Sequence, residues 1–227
     1  MLPNSLAIAG AQTLVGGAPV NIETIDRALT RAPRLVAVDG GADACLLGRK
    51  SPDLVVGDLD SISEEARATY ASILRHETEQ ESTDFAKALR LSPAPFSLAV
   101  GFLGARIDHT LACLSTLAAT GAPCILFDET DCLCIAPGSG RVDLPPGTRF
   151  SIWPLGVASG TSEGLRWPLS GVDFAPGGRG GTSNEALGPV SWSIRGGPMV
   201  LILPTAHLDG MISMVQIASR ETTAARL

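Results

Sequence analysis

The sequence predicts two domains: an α/β domain with a mostly parallel sheet covered by helices over residues 1–137, then an all-β, sandwich-like domain over residues 138–227. Three observations carry that expectation. Short apolar runs alternate with helical periodicity over the first 135 or so residues, the pattern of a parallel sheet buried on both faces. From Gly138 onward the chain turns rich in Gly, Pro, Ser and Thr, and its short apolar runs are bounded by turn residues. Of the 227 residues, 45% are hydrophobic and 18% charged, which is a globular balance with enough chain for two cores.

Taken in order, Leu6 to Ala9 reads as the first strand, and Asn21 caps a helix whose Ile22, Ile25 and Leu29 share one face. Leu35 to Val38 is a strand ending in Asp39-Gly40-Gly41, followed by a short helix from Ala42 to Leu47. Leu54 to Val56 is a strand running into Gly57-Asp58, and Ser63 starts a helix reaching Leu74. Ser82 or Thr83 caps a helix carrying Phe85, Ala88 and Leu89. Leu98 to Val100 is a strand, Asp108 to Ala119 a helix and Cys124 to Phe127 a strand. Pro137 to Gly140 is the expected linker. Beyond it, Arg149 to Trp153, Val190 to Ile194, Met199 to Leu203 and Met211 to Ile217 read as strands.

Charge and composition exclude several classes. A net charge of −6 argues against a broad nucleic-acid surface, which needs clustered Lys and Arg. No apolar run approaches the roughly 18 residues of a membrane span. The first basic residue is Arg27, so no positively charged leader is visible, and the five cysteines form no CxxC pair. A cytoplasmic protein is expected.

In an open parallel sheet, ligands bind beyond the carboxyl ends of the strands, so the loops there are the ones to read. Asp39-Gly40-Gly41 leads into a helix; Gly40 and Gly41 allow close approach, and free N–H groups at the helix start suit anionic oxygens. Gly57-Asp58-Leu59-Asp60-Ser61 carries two carboxylates spaced i, i+2, which face the same way in extended backbone and repel unless a cation relieves them. A magnesium ion suits such a pair, and a solvated turn with Asp60 or Ser61 capping the next helix is the equal alternative. Thr83-Asp84-Phe85-Ala86-Lys87 places a third carboxylate at a helix start and a lysine one turn on, which can serve a metal and a phosphate or equally be a helix cap and a surface charge. In Gly104-Ala105-Arg106-Ile107-Asp108-His109, Arg106 suits bidentate phosphate contact and Asp108 can orient a hydroxyl, while His109 reads better as a capping or packing residue. Trp167 offers a flat ring face, though a core aromatic is the ordinary reading, and Thr182-Ser183-Asn184 can equally be a turn.

As an ordered set these segments resemble the thiamine pyrophosphokinase (thiamine diphosphokinase) family: DGGA at 39–42, PDLVVGDLDS at 52–61, STDFAKAL at 82–89, GARIDH at 104–109, GLRWPL at 164–169 and GTSN at 181–184. The resemblance implies transfer of the diphosphoryl group of ATP to the hydroxyl of thiamine, with Mg2+, in a homodimer whose C-terminal domain helps bind thiamine. It implies that Asp58, Asp60 and Asp84 form the metal and diphosphate site and that Asp108 joins them in catalysis. By the same resemblance Gly40, Gly41, Gln80, Lys87 and Arg106 surround the nucleotide, and Trp167, Ser183 and Asn184 contact thiamine. Two departures stand out. Cys113 occupies a position where many bacterial relatives carry asparagine, and the first loop, Gly10-Ala11-Gln12-Thr13, is less glycine-rich than the usual form.

Overall fold

The computed structural model describes residues 8–79 and 81–224. The chain divides into two compact units, Met1–Thr116 with Leu126–Glu129, and Leu117–Ile125 with Thr130–Leu227. That division falls earlier than residue 137. The strand β7 (Asp131–Ile135) pairs antiparallel with β13 (Met199–Pro204) and so goes with the second unit. The expected linker overlaps another strand, β8 (Ser139–Val142).

In the first unit, β1 (Gln12–Val15), β2 (Arg34–Val38), β3 (Leu54–Gly57), β4 (Leu74–His76) and β5 (Ser97–Val100) form parallel pairs in the order β5-β1-β2-β3-β4. The order reverses between β1 and β5, which opens a crevice beyond their carboxyl ends. Leu14, Val15, Val36, Ala37, Val55, Val56, Leu98, Ala99 and Val100 are fully buried along these strands, as expected for a sheet covered on both faces.

The helices start where the sequence offers caps. Asn21 Oδ1 accepts the Thr24 N–H at 2.7 Å ahead of α1 (Ile22–Leu29), and α2 (Gly41–Leu47) follows β2. The Ser63 hydroxyl caps α3 (Glu64–Thr69), and that of Thr83 caps α4 (Asp84–Leu91) by accepting the Ala86 N–H at 3.2 Å. The helix α3 stops at Thr69 instead of reaching Leu74, because a 3-10 turn at Ala71–Ile73 delivers the chain into β4. Two elements complete the crossover beyond β5, α5 (Ile107–Thr120) and β6 (Cys124–Phe127).

The first strand is not where the apolar run suggests. Residues 6 and 7 lie outside the described residues, residues 8 and 9 are not in a strand, and β1 begins at Gln12. Its polar start hid it. Gln12 is buried because its amide donates to the Ser92 carbonyl at 2.7 Å and to Ser97 Oγ at 3.2 Å, and Thr13 donates to the Ala32 carbonyl at 2.7 Å. Buried polar groups satisfied in this way cost little.

The second unit pairs its strands antiparallel, with β9 (Arg149–Pro154), β10 (Ala158–Leu165), β11 (Asp173–Phe174) and the fifteen-residue β12 (Thr182–Gly196) in the order β11-β10-β12-β9-β13-β7. The long strand serves two groups of partners. Thr182 to Glu185 pair with β9, whereas Val190 to Ser193 pair with β8 on one side and lie along β10 on the other. Strands that switch partners midway make the corners of packed β structures. This unit is not all-β, since α6 (Leu208–Ala224) occupies the stretch expected to be a strand at Met211 to Ile217. Leu208, Met211, Ile212 and Val215 are buried at spacings of 0, 3, 4 and 7, a helical stripe that reads as a continuous apolar run when its polar flanks are ignored.

Candidate active site

The carboxyl ends of β1, β2, β3 and β5 meet the start of α4 around one cavity of about 570 Å3, lined in part by Gly17, Ala18, Asp39, Gly40, Ser61, Asp84, Phe102, Arg106 and His109. It lies at the reversal between β1 and β5. The backbone is tightly drawn there. A side chain at Gly16 would come within 2.5 Å of the Gly101 carbonyl oxygen, and one at Gly41 within 1.9 Å of the Val15 carbonyl oxygen. Only glycine lets these segments approach so closely. The glycine-rich first loop is therefore Gly16-Gly17 after β1, not Gly10-Ala11-Gln12-Thr13, whose last two residues belong to the strand itself.

The carboxylates converge from two strand ends, those of β2 and β3. Asp39, Asp58 and Asp60 each offer an oxygen, and the three oxygens lie within 4.8 Å of one another. Asp58 and Asp60 do face together, but not through extended backbone. Leu59 has φ +63° and is 3% exposed, so its side chain anchors in the core while the chain turns left-handed between the two acids. An Arg67 guanidinium N–H from α3 donates to the Leu59 carbonyl and holds the turn, and the Asp60 N–H donates to Asp58 Oδ1 at 3.3 Å. Asp39 itself sits at φ +47°, one step before Gly40.

Asp84 reaches the group from α4. Its Oδ1 accepts the Asp58 N–H at 3.1 Å and the Lys87 ammonium at 3.1 Å, and Lys87 Nζ lies 4.0 Å from Asp58 Oδ2. Lys87 is 1% exposed. The ammonium expected to meet a phosphate is thus paired with Asp84 and lies close to Asp58. Asp39 is the member that reasoning from spacing left out of the metal set. It was legible only as the residue before Gly40-Gly41, with nothing in the sequence to bring it to Asp58. Burial pushes its carboxyl above the usual range and the nearby Asp84 charge adds to this, while hydrogen bonds from Gly40 and Ser61 pull it down.

Across the cavity, Arg106 and Asp108 form a two-point pair, Nε to Oδ1 at 3.2 Å and Nη2 to Oδ2 at 2.6 Å, with both side chains well exposed. The hydrogen bond from Arg106 holds the Asp108 carboxyl below its ordinary range. His109 lines the cavity beside Arg106, so its place is at the site instead of in packing, and Cys113 lines it one turn further along α5. Burial pushes the Cys113 thiol up to about 12, so it is a neutral apolar wall. Gln80 lies outside the described residues.

The second unit carries the remaining candidates. Trp167 is 56% exposed, whereas the buried tryptophan of this unit is Trp192, which packs on Phe150 and donates its indole N–H to the Pro137 carbonyl at 3.0 Å. Ser183 is exposed on β12. Asn184 is 4% exposed and its amide is bonded to the Trp167 backbone, at 3.2 Å from the Trp167 N–H and 2.7 Å to its carbonyl.

Comparison with known proteins finds one family. Residues 25–126 match the thiamin pyrophosphokinase catalytic domain. Thiamine pyrophosphokinase 1 of Oryza sativa subsp. japonica is 28% identical over 190 residues, which is 68% of this chain and 72% of the relative. Among solved structures, thiamin pyrophosphokinase from Geobacillus thermodenitrificans superposes with a TM-score of 0.72 at 22% identity, covering 86% of this chain and 97% of that one. The yeast thiamin pyrophosphokinase gives a TM-score of 0.72 at 18% identity, covering 91% of this chain and 89% of that one. At these identities the two structures speak for the fold.

Proposed function

Because the chain belongs to the thiamine pyrophosphokinase family, we propose that it is a thiamine diphosphokinase, transferring the diphosphoryl group of ATP to the hydroxyl of thiamine to give thiamine diphosphate and AMP. The observation that carries the reading is the gathering of Asp39, Asp58 and Asp60, with Asp84 beside them, next to a cavity that Asp39 and Asp84 line together with glycine backbone. Three mutually repelling carboxylates held within 4.8 Å make a donor set of hard oxygens, which suits Mg2+. Asp39, Asp58 and Asp60 would hold the ion, and Asp84 would fix Asp58 through its N–H. When bound, the ion neutralises phosphate oxygens that would otherwise repel an incoming hydroxyl.

The chain's own groups account for the rest. The thiamine oxygen forms a bond to the β-phosphorus as the bond from that phosphorus to the α,β-bridging oxygen breaks, and AMP leaves with that oxygen. The loops at Gly16-Gly17 and Gly40-Gly41 admit the phosphates close to the backbone. Arg106 meets charge on the transferred group. Asp108, kept ionised by Arg106, accepts a hydrogen bond from the attacking hydroxyl and orients it. Trp167 presents its ring to thiamine, with Ser183 nearby in sequence to Asn184 on the same strand. A homodimer in the cytoplasm, using ATP, is the form this reading takes. Among the described residues no helix is long and apolar enough to cross a membrane.

The test is direct. Purified protein incubated with Mg-ATP and thiamine should yield AMP and thiamine diphosphate in equal amounts. Formation of ADP with thiamine monophosphate, or AMP without thiamine diphosphate, would overturn the assignment. Asp58→Asn should lower turnover by on the order of a hundredfold or more without changing the fold, since it removes charge the transition state needs. AMP release at the normal rate from that variant would remove Asp58 from the mechanism.

A further inference from the structure

We infer that Asn184 is a positioning residue for thiamine that acts by clamping Trp167, and does not itself touch the substrate. The inference rests on the thiamine reading above and deepens it. An asparagine amide offers one oxygen with two acceptor sites and two N–H donors. Asn184 Oδ1 accepts the Trp167 N–H at 3.2 Å and the Glu185 N–H at 2.9 Å, and Nδ2 donates to the Trp167 carbonyl at 2.7 Å. Both acceptor sites and one donor are therefore committed to backbone, in a side chain that is only 4% exposed. Little is left to offer a ligand.

The segment being clamped needs it. Trp167 leaves the sheet just past a register shift between Glu163 and Leu165, at Gly164, whose φ is +81° and where a side chain would meet the Pro189 carbonyl at 2.0 Å. Leu165 still pairs with Ala186 of β12, and beyond Leu165 the chain has left that ladder. Asn184 supplies both missing backbone bonds, the donor and the acceptor, at one residue. A second tie runs alongside: the Arg166 N–H donates to the Glu185 carbonyl at 2.9 Å, its guanidinium pairs with the Glu185 carboxylate at 2.7 Å, and that guanidinium lies 5.8 Å from the centre of the Trp167 ring. The result is a large aromatic ring, 56% exposed, on a residue whose own N–H and carbonyl are both engaged. Fixing a binding side chain in advance reduces the entropy lost on ligand capture.

The test is a double-mutant cycle read as thiamine KM and kcat. Asn184→Ala should raise thiamine KM about tenfold with kcat within about twofold and ATP KM unchanged, because a loosened platform weakens binding and not chemistry. In a Trp167→Ala background the same substitution should add less than about twofold, since a clamp has nothing left to hold. Asn184→Asp should be as damaging as Asn184→Ala, because it loses the donor and sets a carboxylate against the Trp167 carbonyl. Hydrogen exchange at residues 166–168 should speed up in Asn184→Ala. Additive effects of Asn184→Ala and Trp167→Ala, or unchanged exchange, would overturn the clamp while leaving the thiamine reading in place. An unchanged thiamine KM in Trp167→Ala alone would instead overturn the ring contact beneath it, and the inference with it.

Discussion

At the scale of single residues, two charged pairs divide the labour of the site according to burial. The Arg106–Asp108 pair is exposed, so its value is in protonation and orientation and not in stability. Asp108 is held low, so it stays ionised as pH falls until its own depressed value is reached. Removing Arg106 returns Asp108 toward the ordinary carboxylate range. The acid limb of kcat/KM should therefore move to higher pH in Arg106→Ala, and a pH profile with an unmoved acid limb would separate Asp108 from the reaction. Lys87 is the opposite case, a buried ammonium between Asp84 and Asp58. Lys87→Met keeps the volume but leaves those carboxylates facing each other, which should cost about 2 kcal/mol in metal-free urea unfolding, the carboxylates being partly solvated. Added Mg2+ should recover part of that loss. Equal losses with and without Mg2+ would show that Lys87 does not serve the carboxylate cluster.

At the scale of elements, the strand ends matter more than the strands. The loop after β3 brings Asp58 and Asp60 together by burying Leu59 in a left-handed turn, and the loop after β2 brings Asp39 to them. Each depends on a close backbone approach made possible by glycine. Gly41→Ala would drive a methyl group to within 1.9 Å of the Val15 carbonyl oxygen, and because that neighbour is backbone it cannot step aside cheaply. A loss of about 3 kcal/mol in chemical denaturation is expected, together with weakened nucleotide binding. Retained stability would mean that α2 can shift bodily. In the second unit, Met211→Ala on α6 removes a fully buried side chain and should cost about 2–4 kcal/mol. The same substitution at Ile217, which is 58% exposed, should be nearly silent in the same measurement.

At the scale of the whole molecule, ligand binding and stability are linked by mass action. Mg2+ with AMP, supplied at a hundred times its dissociation constant, should stabilise the protein by about 2.7 kcal/mol and raise its melting temperature, whereas either alone should do less. Asp58→Asn should lose most of that synergy. A melting temperature indifferent to Mg2+ in the presence of AMP would detach the carboxylates from nucleotide binding.

Much of this molecule was determined locally. The parallel strands, the caps at Asn21, Ser63 and Thr83, and the ordered motifs from Asp39 to Asn184 depend on neighbours a few residues apart, so the linear pattern carried them. The polar strand β1, the length of β12 and the helix α6 depended on partners far along the chain. Gln12 reads as loop until Ser92 and Ser97 satisfy it, and the apolar stretch from Met211 reads as strand until one face has a surface to bury against. Roles within the site followed the same rule. Composition and spacing nominated Asp58, Asp60 and Asp84, but only folding could add Asp39, pair Lys87 with Asp84 and commit Asn184 to the Trp167 backbone. A side chain's chemistry is written in its own residue type; what that chemistry acts on is decided by which distant groups the backbone brings within about 3 Å of it.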